Sequence, residues 1–269
     1  MKTIILPTVC MLLILTSCAK VTVEVPGINE NTVSGNRNQK TYGYSFDKVK
    51  VSSGITAEII KAENEKIVIE APDKMMEKVK VTQNDGEVRI YIESSGIFKS
   101  ITANGNVRAT IYAKDFSALS ADSGAEITVK DKFLQEKMSV AVSSSGSVNG
   151  NLEANDFNIN ASSGGEFTGQ IWAVNLDAEL SSGATVSTKG KVTNAEVSVS
   201  SGSSFEATKT SMQVADLNAS SGGSIVGRVV TKATASASSG GSIQISKEAP
   251  DTEVNLKESS GGSISVSAD

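Results

Sequence analysis

The second half of the chain repeats one pattern of apolar and polar positions. Apolar side chains stand at alternate positions on both sides of a recurring Ser-Ser-Gly tripeptide. An alternation with a period of two is typical of β-strands that bury one face. The pattern therefore predicts strands that flank each tripeptide.

The tripeptide recurs at a nearly constant interval. Nine copies are present, and Asp122-Ser123-Gly124 is a tenth, variant copy. From Gly146 onward the repeat glycines lie 18, 19, 19, 20, 18 and 21 residues apart. Strands that return about every 19 residues with the same flanking marks predict an all-β fold, a parallel β-helix-like solenoid of stacked coils. A low-complexity Ser/Gly linker would lack the apolar columns.

Two apolar columns run through the copies and predict the core. One lies five residues before the repeat glycine, and the other lies three residues after it. The copy at Gly146 fits if Ser145 takes the place of the glycine. The columns comprise Leu119, Ile159, Ala178, Val197, Leu217 and Ala235, followed by Ile127, Phe167, Val186, Phe205, Ile225, Ile243 and Ile264.

The corners between strands have their own pattern. The same alternation predicts that the serine directly before each glycine faces the interior, so Ser201 faces inward and Ser200 faces solvent. An alternative, in which the corners bulge outward and leave that serine hydrated, stays open. From Gly124 onward the residue after the glycine, or after Ser145 in the copy at Gly146, is small, which predicts a narrow corner: Ala125, Gly146, Gly165, Ala184, Ser203, Gly223, Gly241 and Gly262.

The outward columns beside the corners predict a flat, hydroxyl-rich wall that is almost uncharged toward the C-terminus. They lie two residues before and two residues after the glycine. Their members are Asp122, Ser143, Ser162, Ser181, Ser200, Ser220, Ser238 and Ser259, followed by Glu126, Ser147, Glu166, Thr185, Ser204, Ser224, Ser242 and Ser263.

The N-terminal half, residues 41–115, is β-rich but less regular. Asn84-Asp85-Gly86 between alternating apolar residues predicts a hairpin. Residues 67–69 and 107–113 are further predicted strands, and residues 75–78 are a predicted helical turn. The longer excursions of this half are expected to cap one end of the solenoid at residues 116–269, because an open end exposes unpaired backbone groups.

Composition argues against catalysis and against nucleic-acid binding. The 269 residues include no histidine, which removes the usual general base, the Ser-His-Asp arrangement and imidazole metal sites. The formal net charge of -5 disfavours a nucleic-acid partner. No cofactor or metal motif is present. The carboxylates have differing offsets on successive coils, which is typical of a solvated face: Glu153, Asp156, Glu166, Asp177, Glu179, Glu196 and Glu206.

Trp172 is the single indole of the chain. In the favoured interpretation it packs under a neighbouring strand. In the other it lies on the surface as a platform for a sugar.

The first segment predicts a bacterial lipoprotein signal. An apolar stretch follows Lys2, and Leu15-Thr16-Ser17-Cys18 resembles a lipobox. Residues 1–17 are then a signal peptide, and Cys18 carries diacylglyceryl and fatty acyl (palmitate) chains. Residues 18–40 are predicted to be a polar tether. An ordinary secretory signal with a chance cysteine is the alternative.

The segments 46–55 (FDKVKVSSGI) and 68–72 (VIEAP), with the serial Ser-Ser-Gly copies, resemble the auto-transporter adhesin head GIN domain family. The resemblance covers about residues 44–269. That family is abundant in lipoproteins of Bacteroidetes-type bacteria. The resemblance implies an all-β solenoid at the cell envelope and supplies no catalytic residues.

Two functions fit these expectations. The first is a non-catalytic lipoprotein of the bacterial outer membrane, anchored through Cys18, whose repetitive wall serves adhesion at the cell surface or in the periplasm. The second is a glycan-capturing or glycan-processing accessory protein. Exposed aromatics or convergent carboxylates would favour the second, and a featureless polar wall without a deep pocket would favour the first.

The lipobox leads to a first prediction. Cys18→Ser is expected to leave an unprocessed or soluble form, because the thiol that would carry the lipid chains is lost, and stable anchoring needs more than one chain. Membrane fractionation of cells that express the wild-type chain or the variant measures this. A variant that still fractionates with the outer membrane would contradict the lipobox.

Overall fold

The computed structural model describes residues 37–93, 103 and 106–268. Of the described residues, 69% lie in strands and 2% in a helix, and they form a β-solenoid of about eight turns with a spacing of roughly 19 residues. The predicted all-β solenoid is confirmed. Cys18 and most of the predicted tether lie outside the described residues.

The elements of the described part are, in chain order, β1 (Arg37–Tyr42), β2 (Lys48–Val51), β3 (Thr56–Lys61), β4 (Lys66–Pro72), α1 (Asp73–Met76), β5 (Val79–Asn84), β6 (Glu87–Ile92), β7 (Arg108–Ala113), β8 (Ala118–Ala121), β9 (Glu126–Val129), β10 (Phe133–Val142), β11 (Ser147–Ala161), β12 (Glu166–Leu180), β13 (Thr185–Val199), β14 (Ser204–Ala219), β15 (Ser224–Ala237), β16 (Ser242–Lys247), β17 (Glu253–Glu258) and β18 (Ser263–Ala268).

The first coils do not stack in chain order. β2 lies between β6 and β8, and β3 lies between β7 and β9, with every pair parallel. The coil formed by β2 and β3 is therefore inserted between a coil that contains β6 and β7 and the coil of β8 and β9. The coil of β2 and β3 and the coil that contains β6 and β7 are therefore part of the solenoid, although both lie in the half that was predicted to be less regular.

Antiparallel strands cover the N-terminal end of the stack. β4 pairs with β7, β1 pairs with β4, and β5 pairs with β6. The predicted hairpin is confirmed, since Asp85 and Gly86 have φ angles of 47° and 76° and join β5 to β6. A helical turn is present as α1, but it begins at Asp73, two residues before the predicted segment 75–78. β1 begins at Arg37, inside the stretch predicted as tether.

From β10 onward the coils stack in chain order and remain parallel. In the long strands β11 to β15 the alternation of buried and outward residues is interrupted eight residues before the repeat glycine, and we call this interruption the bend. β14 has a further interruption at Thr208 and Lys209. In β11 the bend is marked by two consecutive exposed residues, Asn155 and Asp156, between buried Ala154 and Phe157. We call the outward side chains before each bend the leading wall and those between the bend and the next corner the trailing wall.

Both predicted apolar columns form the core. Every member except Ile264 is at most 1% exposed, and Ile264, in the last strand, is half-buried against the core. Phe116 and Phe133 lie with their ring centroids 4.6 Å apart, and those of Phe157 and Phe167 are 6.2 Å apart. Each fully buried Phe or Ile contributes about 1.5–3 kcal/mol to the free energy of unfolding.

The corners differ from the prediction. Ser201 is exposed and Ser200 is half-buried, so the inward orientation predicted for Ser201 is wrong and the outward bulge is correct. Ser201 and Gly202 have φ angles of 53° and 72°. Two consecutive residues in the left-handed region form a tight turn, and both of them face outward. The inward–outward alternation of the strand therefore does not continue through the corner.

The predicted narrowness of the corner is confirmed. A Cβ added to Gly241 would lie 2.3 Å from the carbonyl oxygen of Ala219. In three coils a small side chain occupies this buried position: Ala125, Ala184 and Ser203. Ser145 takes the glycine's place in the irregular copy, as predicted, with a φ of 61°.

The corner geometry predicts that the same substitution lowers the free energy of unfolding at Ser203 but leaves it nearly unchanged at Ser201. Ser203→Asn should lower the free energy of unfolding by about 1–3 kcal/mol, because the closed corner cannot hold a larger polar group. Ser201→Asn should change it by less than about 0.5 kcal/mol, because the site is exposed and Asn tolerates positive φ. Denaturant unfolding measures both. Equal losses would contradict the assigned orientation.

Asp122 links the inserted coil to the next one. Its carboxylate lies 3.1 Å from the Nζ of Lys50. Burial raises the pKa of Asp122, but hydrogen bonds from Ser52, Lys50 and Ser123, with the charge of Lys50, bring this pKa below its usual value. The charged form of Asp122 therefore stabilises the contact between β2 and β8.

Because the pKa of Asp122 is lowered in the folded state, its contribution is present above the unfolded-state pKa of about 3.9 and is lost as the pH falls through the folded-state pKa. Asp122→Asn should lower the melting temperature at pH 7, and the difference from wild type should narrow below about pH 4. Asp251→Asn, which alters an exposed carboxylate, is the control. A difference independent of pH would show that the charge has no role.

Candidate interaction surface

The described residues contain no group of three or more His, Cys, Asp or Glu side chains that could hold a metal ion. No helix in the described part of the chain is long and apolar enough to span a membrane. The features with possible function are instead the outward walls of the solenoid.

The serine column that precedes each corner forms the edge of the trailing wall. Its members between β11 and β15 carry the predicted hydroxyls, but they are half-buried and this edge is not flat. A shallow depression of about 470 Å³ lies along this edge. The column is formed by Ser162, Ser181, Ser200, Ser220 and Ser238.

A larger groove of about 910 Å³ runs along the trailing wall near the bends. Its floor contains apolar side chains of successive coils, among them Met138, Phe157 and Leu176. Lys48, Lys137 and Lys232 also line the groove, on three different coils. The wall is therefore concave, with an apolar floor and polar sides.

An amide ladder forms one side of this groove. Asn175 donates through Nδ2 to Oδ1 of Asp156 at 2.9 Å, and Asn194 donates to Oδ1 of Asn175 at 3.0 Å. These bonds join three adjacent coils at the same register position. The next member of the row is Val214, which is 39% exposed.

A row of carboxylates lies two residues beyond the amide ladder. Asp177, Glu196 and Asp216 are aligned on adjacent strands, which lie about 4.8 Å apart in a sheet. The offsets of the acidic residues were expected to differ, but Asp177 and Glu196 share one offset from the glycine and stand side by side. Like charges placed opposite each other repel, so this row concentrates negative charge at one line of the trailing wall at a cost in stability.

Trp172 lies on the leading wall, and its side chain is 41% exposed. The favoured interpretation, packing under a neighbouring strand, is wrong because the position alternates outward between buried Ile171 and Ala173. A depression of about 560 Å³ extends beside the indole. Lys191 is the register neighbour of Trp172 on the next coil and lines the same depression.

The carboxylates around Trp172 have partners. Glu153, its register neighbour on the preceding coil, lies 2.6 Å from the Nζ of Lys132. Glu248 lies 3.5 Å from Nε of Arg228 and accepts a hydrogen bond of 2.9 Å from Ser211. The negative charges at this depression are therefore compensated by neighbouring groups.

The leading and trailing walls bring together different sets of the predicted site residues. Asp156, Asp177, Glu179 and Glu196 lie on the trailing wall, whereas Glu153, Glu166 and Glu206 lie on the leading wall. The amide ladder was not foreseen from the sequence, although a spacing of 19 residues between Asp156, Asn175 and Asn194 was a signal for it.

Comparison with known proteins identifies a family. The model of the family described as "Putative auto-transporter adhesin, head GIN domain" matches residues 45–249. No curated protein matches the chain.

Solved structures of similar fold come from Parabacteroides species. A protein described as a putative adhesin from Parabacteroides distasonis has a TM-score of 0.74 at 13% identity and covers 87% of this chain and 98% of its own. A putative adhesin from Parabacteroides merdae has a TM-score of 0.72 at 14% identity, with 87% and 97% covered. A putative lipid binding protein from Parabacteroides distasonis has a TM-score of 0.68 at 17% identity, with 87% and 98% covered. These likenesses support the fold.

Proposed function

We propose that this chain is a non-catalytic interaction scaffold of the cell envelope. The premise is that the chain belongs to the auto-transporter adhesin family with the head GIN domain. The observation that carries the proposal is the register of the trailing wall. From β11 to β15, aligned rows repeat hydroxyl, amide and carboxylate side chains. A surface whose coils repeat one another favours many weak contacts over one dominant contact.

The attachment that we propose is a lipid anchor at Cys18 in the bacterial outer membrane. The lipobox-like residues 15–18 support it. Eighteen residues separate Cys18 from the start of β1 at Arg37. A chain of this length reaches at most about 60 Å when fully extended, which is enough to hold the solenoid clear of the headgroups.

The absence of histidine from the sequence supports a non-catalytic role. Glycoside hydrolysis requires two carboxyl groups in different environments, one of which stays protonated in a dry pocket. The row of Asp177, Glu196 and Asp216 lies on an open wall, and all three residues are exposed. Because the three carboxyl groups share one environment, nothing keeps one of them protonated as an acid while another stays ionised as a base.

The second candidate function is capture of a glycan. The specific observation in its favour is the exposed indole of Trp172, since a half-exposed aromatic ring beside polar groups is typical of a surface that binds ligands. The same chain can serve both functions, because the indole and the carboxylate row lie on different walls.

Removal of whole coils tests the adhesin proposal. Deletion of residues 184–202 joins Gly183 to Ser203 and removes one coil, and deletion of 184–222 removes two. We expect the retention of protein-coated beads on mucin and on bacterial cells to fall stepwise, because each coil contributes similar weak contacts. Ser200→Ala, which removes one outward hydroxyl, should have little effect.

Circular dichroism of each variant serves as the control for folding. The purified protein should show no turnover of polysaccharides or esters. A single outward substitution that abolishes retention without unfolding the chain, or a measurable kcat on any polysaccharide, would contradict the scaffold.

A further inference from the structure

We propose that the depression beside Trp172 binds an acidic sugar, a pyranose that carries a carboxylate. This inference deepens the second candidate function and rests on it. It is independent of adhesion through the trailing wall.

The first argument is the exposed indole. Trp172 is 41% exposed, although the outward positions of the solenoid are mostly hydroxyl, amide or charged groups. A large apolar ring that stays in water gains free energy when a ligand covers it. The C–H groups on one face of a pyranose offer a flat apolar surface of matching shape, while its hydroxyls stay at the rim.

The second argument is the set of polar groups around the ring. Lys191 is the register neighbour of Trp172, and Ser211 follows in the same row on the next coil. Thr193 and Gln213 line the same depression. Because Ser211 already donates its proton to Glu248, its oxygen is left to accept a hydrogen bond from a sugar hydroxyl. The amide of Gln213 supplies both a donor and an acceptor.

The third argument is the charge balance. Glu153 is paired with Lys132, and Glu248 is paired with Arg228. Among the described residues, no carboxylate lies within 4.0 Å of the ammonium of Lys191, and the same holds for Lys209. Both lysines line the depression, which therefore holds two positive charges beyond those its own carboxylates neutralise.

The sign of this charge selects the class of sugar. A neutral sugar would use the indole and the amide but not the two ammonium groups. A carboxylate next to the stacked ring would form charge-assisted hydrogen bonds with Lys191 and Lys209. The site is open and shallow, so we expect weak binding that gains from several sugar units or several protein copies.

The single tryptophan makes fluorescence a reporter of this one site. The probes are short oligomers of galacturonate, glucuronate and mannuronate, each compared with its methyl ester, which has the same ring but no charge. We expect at least one acid oligomer to give a saturable change in the emission of Trp172. Its affinity should exceed that of its ester about tenfold or more, which corresponds to about 1.4 kcal/mol.

Variants separate the contribution of the two ammonium groups from that of the indole. The double variant Lys191→Gln and Lys209→Gln should remove the preference for the acid over the ester. Trp172→Ala should abolish binding measured by calorimetry, and Trp172→Phe should retain part of it. Lys74→Gln, which removes an exposed ammonium from α1, away from both walls, is the matched control and should bind like the wild type.

Equal affinity for an acid and its ester, an unchanged affinity in Trp172→Ala, or no binding by any of the three acids would overturn the proposal. If these results appear while coil deletion still weakens bead retention stepwise, the acidic-sugar site fails and the adhesin scaffold stands. If the acid binds but coil deletion has no effect on retention, the scaffold fails and the sugar site stands.

Discussion

The hydrogen-bonded Ser-Ser-Gly corner is the constraint on which the rest of the structure depends. In one corner the amide of Gly165 donates to the carbonyl of Ser162 at 2.8 Å and closes the turn. The amide of Gly164 donates instead to the carbonyl of Ser182 in the next coil at 3.1 Å. One amide of the turn closes the corner, and the amide next to it joins two coils. The reversal of the chain and the stacking of the coils therefore depend on the same hydrogen-bond network. Each coil must therefore begin in register with the one before it.

This register produces the functional surfaces. Because the strands are parallel and aligned, side chains of one type at one repeat position become a continuous row along the solenoid. The amide ladder of Asn175 and Asn194 and the carboxylate row that contains Asp177 and Glu196 are such rows. Trp172 is the exception, because its row contains an indole in one coil only. The scaffold thus offers a repeated polar wall and one site with its own chemistry.

Period-two alternation was sufficient to predict the strands, the core columns and the small residues of the corner, because buried positions obey a strict packing rule. It failed at Ser201, because two residues with positive φ interrupt the alternation. The insertion of β2 and β3 between later coils was also not predictable, since hydrophobic pattern does not specify which parallel neighbour a strand has. The alternation alone would have placed Trp172 on the surface. The prediction favoured burial instead, because large aromatic side chains are usually packed inside proteins.

Amide hydrogen exchange at the corner glycines tests the central claim most directly. The amides of Gly164, Gly183 and Gly202 each donate to a serine carbonyl of the next coil, at 3.1, 3.1 and 3.2 Å. Although these residues lie in exposed turns, the account predicts that their amides are protected nearly as well as those of the long strands, because they open only when neighbouring coils separate. Exchange as fast as in an unstructured loop would show that the corners do not hold the coils together.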